Sequence, residues 1–295
     1  MPSASQKNTQ SKHVMTEQRR LPKLGIIAGG GELPERIVAA CREKQREVFV
    51  VVIEGEGQLQ AFGDVPSREF PIGSVGKIIK ALKAENVQDV VLAGRIKRPS
   101  FSALHMDMEG VKLMTRIMKC SLKGDNALLS TVMKFLEDAG FQPVGADTIL
   151  EDIVATEGAV GALSPKDKVA WDDIALGVKV VQTLGTLDIG QAVVVQQGVV
   201  LGIEAIEGTD KLLQRVGGYS LKGTGGVLVK LKKPGQEQRV DLPAMGVSTV
   251  ENAHKAGLRG IAVEVGGALI INRKAVAETA DALGLFVVGI HPDTV

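Results

Sequence analysis

The sequence predicts an α/β protein of two α/β domains, an N-terminal Rossmann-like parallel sheet and a C-terminal mixed α/β domain. Three observations predict it. Short β-branched apolar runs alternate with amphipathic stretches from Leu24 onward, the pattern of parallel strands covered by helices. The pattern changes near Gln191, where "QAVVVQQGVVLGI" gives apolar strands on either side of Gln197-Gly198, a hairpin signal. The chain has 295 residues, enough for two domains of ordinary size.

In order, Leu24–Ala28 is uncharged and β-branched, as a buried parallel strand would be. Pro34 suits a helix's first turn, and Ile37, Val38 and Cys41 then share one helical face. Glu47–Ile53 is a second buried strand, "SVGKIIKALKAENV" a helix, and Asp89–Gly94 a third strand. Two helices follow, one from about Glu109 to Leu122 and one from about Asp125, before a closing strand at Phe141–Ala146. Residues 147–165 have weak periodicity and predict a connection at which the domains hinge. A long helix over about Asp167–Leu184 opens the second domain. After the hairpin, Thr209 or Asp210 is expected to cap a helix, "GGVLVKLKK" is a strand, and helix, strand, helix, strand complete the chain. The expected divisions are a disordered tail at 1–22, a nucleotide-side domain at 23–150, a connection at 151–165 and a catalytic domain at 166–295.

Composition excludes several functions. The formal net charge of +1 offers no bulk attraction for nucleic acid or an anionic membrane. Aromatics at 3% argue against base stacking. Two cysteines, Cys41 and Cys120, both on apolar helical patterns, predict a reducing cytoplasm without disulfides. No apolar run is long enough to span a membrane, and the first twenty residues lack the apolar region of a signal peptide, with Met15 an alternative start. The histidines, His13, His105, His254 and His291, lack zinc-ligand spacing, and there is no G-x-S-x-G elbow.

Phosphate chemistry with an oxygen-ligated metal remains. Gly29, Gly30 and Gly31, followed by Glu32, lie between a strand and a helix N-terminus, where free N–H groups and the helix dipole favour an anion. "GGGELP" is neither a dinucleotide fingerprint nor a P-loop, so phosphate contact and plain turn both stay open. "AGRIKRPSFS" follows a strand and so lies at the sheet's ligand-binding edge; Gly94, Arg95, Lys97 and Arg98 are anion candidates or ordinary surface. Gly124 and Asp125 begin a helix, as a cap or a ribose or metal contact. Glu204, Glu207, Thr209 and Asp210 form an acidic metal cluster or a capped first turn. "KKPGQEQRVDLPAMG" gathers Lys233, Gln236, Glu237, Arg239 and Asp241 between Pro234 and Pro243, as a phosphate and metal site or a polar loop.

Taken in order, "LGIIAGGGELP", "AGRIKRPSFSAL", "KGDNALL", "LDIGQAVVVQQGVVLGIEAIEGTDKLLQR", "PGQEQRVDLPAMG" and "GLFVVGI" resemble the LpxI family of UDP-2,3-diacylglucosamine pyrophosphatases of lipid A biosynthesis. The resemblance covers about residues 23 to 290, with "PAMG" departing from the family's "PTIG" at Ala244 and Met245. It implies a ligand crevice between the domains and Mg²⁺-assisted hydrolysis of UDP-2,3-diacylglucosamine, with Mn²⁺ as a possible substitute. Water would attack the sugar-side phosphorus, giving UMP and 2,3-diacylglucosamine 1-phosphate. Asp241 is the implied essential carboxylate, as general base or as metal ligand with Glu204, Glu207 and Asp210. Substrate contacts are implied for Gly29 to Glu32, Gly94, Arg95, Gly124, Asp125, Thr209, Gln236 and Arg239, with Gly29 to Gly31 as a backbone cradle. A cytoplasmic protein in transient contact with the inner-membrane surface, retaining its lipid product, is the expected setting; a homodimer stays open. The rival readings are a non-catalytic nucleotide-binding module and a Rossmann-type oxidoreductase, the latter disfavoured by the missing G-x-G-x-x-G.

Overall fold

The computed structural model describes residues 21–96, 105–120, 125–234 and 242–295. Residues 1–20 of the expected tail, Lys97, Arg98, Gly124, Gln236, Glu237, Arg239 and Asp241 lie outside the described residues.

The apolar runs of the first half become β1 (Leu24–Ala28), β2 (Val48–Ile53) and β4 (Asp89–Ala93), joined by β3 (Ser67–Phe70) and the short β5 (Gln142–Pro143). They form one parallel sheet of order β3-β2-β1-β4-β5. Its ligand-binding crevice is expected outside the carboxyl ends, where strand order reverses beside β1. Helix α1 (Leu33–Glu43) buries Ile37, Val38 and Cys41 against one face. Helices α2 (Val75–Ala84) and α4 (Asp125–Asp138) bring Ile78, Leu82 and Leu136 to the other, with α3 (Met108–Cys120) alongside. Strand β3 went unforeseen because "SREF" is a polar edge strand that lacks the apolar signal.

The second half forms a six-stranded mixed sheet of order β6-β13-β11-β9-β7-β8. Its strands are β6 (Gly158–Ala159), β7 (Ala192–Gln196), β8 (Val199–Ile203), β9 (Val227–Lys230), β11 (Gly260–Glu264) and β13 (Phe286–Ile290). The last three run parallel; β7 is antiparallel to β9, and β8 and β6 close the edges antiparallel. The β7–β8 turn is Gln197-Gly198 with φ +51° and +76°, the left-handed pair that two-residue hairpins prefer. Helices α5 (Lys168–Gly185), α6 (Thr209–Val216), α7 (Val247–Lys255) and α8 (Arg273–Leu283) cover the sheet. Asp167 caps α5 by accepting from the Ala170 N–H at 2.8 Å.

Two expectations change. The N-cap of α6 is Gly208 at φ +79°, with Thr209 the first helical residue, so neither Thr209 nor Asp210 is the cap. The start of the connection is packed, while residues 156–164 are exposed or half-buried. Ile149, Leu150 and Ile153 are buried in the same core as β1 and α1, together with Leu269 and Ile271 of the second half. Leu269 belongs to β12 (Leu269–Ile270), which pairs with β10 (Ala244–Met245) and bridges back to Val154. A hinge at residues 149–155 would have to expose these apolar side chains.

Asp107 ties together two of the helices on the first sheet. Its Oδ2 accepts from Gly76 N–H at 2.8 Å and Lys77 N–H at 3.2 Å in the first turn of α2. Its Oδ1 accepts from Gly110 N–H at 2.8 Å in the first turn of α3. Burial works against its charge, but the backbone N–H groups of Gly110, Gly76, Lys77 and Glu109 together hold the carboxyl below its ordinary value of 3.8. Asp107→Ala should cost about 1–3 kcal/mol, as loss of a shared helix cap does. A lowered folded pKa makes this stability fully present above pH 3.8 and lost as pH falls through the folded value. Melting curves of both proteins at several pH values should therefore converge in acid; a constant difference would contradict the role.

Candidate active site

The carboxyl ends of β1, β2 and β4 open into a cavity of about 700 Å³, inside the usual range for small-molecule sites. Ile27, Ile53 and Leu92 form its floor, and α2, α3 and α4 wall it with aliphatic residues such as Ile79, Leu113, Met114 and Leu129. The first half of the chain thus supplies most of the apolar lining. The second half supplies the polar end: Asp188, Gln191, Glu204 and Lys233, beside the apolar Ile189 and Ile206.

That polar end is built from a buried network. Glu204 follows β8 and is 6% exposed; Lys230 ends β9 and is 4% exposed. Lys230 Nζ donates to Thr209 Oγ1 at 2.6 Å, and Thr209 Oγ1 donates to Glu204 Oε1 at 2.9 Å. Among the described residues Glu204 Oε2 is buried without a hydrogen-bond partner. Lys233 Nζ lies 2.5 Å from Asp188 Oδ1 at the same rim.

Comparison with known proteins identifies the scaffold. A model described as the LpxI N-terminal domain matches residues 23–153, and one described as the LpxI C-terminal domain matches residues 156–288. This chain belongs to the LpxI family. A Caulobacter vibrioides protein named UDP-2,3-diacylglucosamine pyrophosphatase LpxI is 41% identical over 281 residues, covering 92% of this chain and 98% of that protein. Two solved structures are far more distant. The Bordetella bronchiseptica enzyme WbmG in complex with NAD matches 43% of this chain and 37% of its own at 14% identity and TM-score 0.29. CobK precorrin-6A reductase matches 92% and 88% at 13% identity and TM-score 0.29. Neither likeness carries an argument.

Within this LpxI-family chain the glycines have a more local task than a three-residue cradle. Gly29 N–H donates to the Ala93 carbonyl, and Gly30 and Arg95 exchange both backbone hydrogen bonds, each at 2.8 Å. A Cβ at Gly29 would meet the Arg95 carbonyl oxygen at 2.4 Å, and one at Gly94, where φ is +91°, would meet the Gly30 oxygen at 2.7 Å. The glycines let the exits of β1 and β4 touch. Two of the three expected cradle amides are therefore bonded to carbonyls, which leaves Gly31, exposed at φ +98°, beside the exposed Glu32 and the start of α1.

The acidic cluster also separates. Glu207 Oε1 pairs with Arg215 at 2.7 Å; its own backbone N–H, then that guanidinium, hold its carboxyl below the ordinary range. Asp210 accepts from Arg95 Nη1 at 3.0 Å and from Asn252 Nδ2 at 3.1 Å. The Arg95–Asp210 pair crosses between the halves, and at this exposure it contributes about 0–1 kcal/mol. Among the described residues no three His, Cys, Asp or Glu side chains come together to hold a metal ion. Around the turn at Gly208, Glu204, Glu207 and Asp210 face different partners, and the fourth expected ligand, Asp241, lies outside the described residues. Asp125 is the first residue of α4. Lys230 escaped the sequence reading, although a lone charge ending an all-apolar strand, "VLVK", was the available signal.

Proposed function

We propose that this protein hydrolyses the pyrophosphate bond of UDP-2,3-diacylglucosamine, giving UMP and 2,3-diacylglucosamine 1-phosphate. The single observation that carries the reading is the joining of a large aliphatic cavity to a polar, lysine-bearing rim, within a chain of the LpxI family. Two acyl chains fill the aliphatic part, each buried methylene contributing about 0.8 kcal/mol. The pyrophosphate lies at the rim, where Lys233 offsets charge on its non-bridging oxygens. Water forms a new bond to the sugar-side phosphorus, and the bond from that phosphorus to the bridging oxygen breaks. UMP leaves with the bridging oxygen.

Magnesium, or manganese in its place, belongs to this proposal on chemical grounds. Such an ion neutralises phosphate charge, and one or two carboxylates with substrate oxygens suffice to hold it. Asp241 is the proposed carboxylate, as ligand or as base. Among the described residues no helix is long and apolar enough to cross a membrane. Transient contact with the inner-membrane surface is the proposed route by which the lipid arrives.

The test is release of UMP from purified protein and UDP-2,3-diacylglucosamine, with Mg²⁺, with Mn²⁺ and with chelator. Turnover that needs the divalent ion is expected. Tight binding without turnover would favour a nucleotide-binding module. Mass spectrometry of denatured, detergent-free protein from cells that make the lipid should also release a diacylglucosamine species.

A further inference from the structure

The polar end of the cavity contains one group that neither the fold nor the phosphate chemistry explains. Glu204 is buried and lines the cavity, and among the described residues its Oε2 has no hydrogen-bond partner. Native proteins rarely leave such an atom unsatisfied, because an unpaired buried acceptor is costly. Its position is also fixed from several sides. Its backbone N–H donates to the Ala192 carbonyl at 2.8 Å. Its carbonyl oxygen lies where a Cβ at Gly190 would meet it at 1.9 Å, and Gly190 is itself at φ +56°. Thr209 holds Oε1, and Lys230 holds Thr209. This chain of donors occupies Oε1 and leaves Oε2, among the described residues, without a partner.

We propose that Glu204 Oε2 accepts a hydrogen bond from a free hydroxyl of the substrate's hexose ring and so makes turnover specific for that hydroxyl, with Thr209 and Lys230 as positioning residues. The inference rests on the hydrolase reading above. An unpaired carboxyl oxygen needs a donor. Acyl chains offer none, and phosphate oxygens are acceptors. Between the two lies the sugar, whose donors are the 2-amide N–H, at the root of its acyl chain, and the hydroxyls at positions 4 and 6 that acylation at 2 and 3 leaves free. Glu204 sits at the corresponding place, where the aliphatic wall gives way to Lys233 and Asp188. A site built to pair a substrate hydroxyl rejects the analogue that lacks it, since its own polar group is then left unpaired.

The test compares kcat/KM for UDP-2,3-diacylglucosamine and its 4-deoxy and 6-deoxy analogues, using the full chain and its Glu204→Ala, Glu204→Gln and Thr209→Val variants. Wild type should turn over one deoxy analogue about 10- to 100-fold less well than the parent, the range expected for a hydrogen bond to a charged group. In Glu204→Ala that ratio should collapse toward one, because the lost partner was the carboxyl. Glu204→Gln covers the case in which alanine does not fold. Its amide presents one acceptor and one donor where the site needs two acceptors, so the ratio should fall there too. Thr209→Val should reduce the ratio in part. A purely structural role would lower all substrates alike and leave the ratio unmoved. An unchanged ratio in the Glu204 variants overturns the proposal, as does a wild type indifferent to both hydroxyls. A Glu204 variant whose only change is a higher Mg²⁺ requirement also overturns it, in favour of a metal ligand. A wild type that does not hydrolyse the parent substrate overturns the hydrolase reading itself.

Discussion

Asp241→Ala is expected to lower kcat by about a thousandfold or more while leaving substrate affinity nearly unchanged, as when a group placed for the transition state is removed. Asp241 precedes Leu242, which packs against the core of the first sheet, and Pro243, which is buried and whose carbonyl accepts from Leu269 N–H. The chain is thus anchored directly after the carboxylate. Single-turnover hydrolysis and equilibrium binding of UDP-2,3-diacylglucosamine separate the chemical step from capture. Near-normal turnover in the folded variant would remove Asp241 from the mechanism. Parallel losses in affinity and turnover would make it a binding residue instead.

The second large effect is steric. Leu113 lies on the cavity wall from α3, and Leu113→Trp would extend an indole into space assigned to acyl chain. Displacing about four methylenes costs about 3 kcal/mol, or about a hundredfold in kcat/KM. The loss should fall on KM, with kcat preserved at saturation, because chain burial is equal in the ground and transition states. A short-chain diacyl substrate should be nearly indifferent to the change. An unaltered KM for the long-chain substrate in a folded Leu113→Trp protein would show that the acyl chains lie elsewhere.

Much of this architecture was legible because its central strands are apolar without interruption. Leu24–Ala28 and the Gln197-Gly198 turn fall where periodicity and turn chemistry put them. Polar and very short strands were illegible for the opposite reason: β3, β6, β10 and β12 are defined by pairing partners, not by their own composition. The site was legible as a set of segments and not as a set of bonds. Gly29 and Gly30 invited a phosphate reading because the residues that bind their backbone, Ala93 and Arg95, are some 65 positions away. Glu207 and Asp210 looked like metal ligands because Arg215 and Arg95 could not be seen facing them. Lys230, at the end of an apolar strand, gave no motif, and only the fold brings it to Thr209.

The packing of residues 149–155 bears on whether the halves can exist apart. Ile149, Leu150 and Ile153 are shared property: they cover the sheet of the first half, and so do Leu269 and Ile271, contributed from more than a hundred residues downstream. Ala155 N–H is bonded to the Ala268 carbonyl, and Gly266 N–H to that of Ala155. Proteolysis or truncation just after residue 155 would strip that downstream cover and leave a sticky aliphatic face in water. Two family modules describe the sequence, and the two domains they describe share one packed seam at residues 149–155.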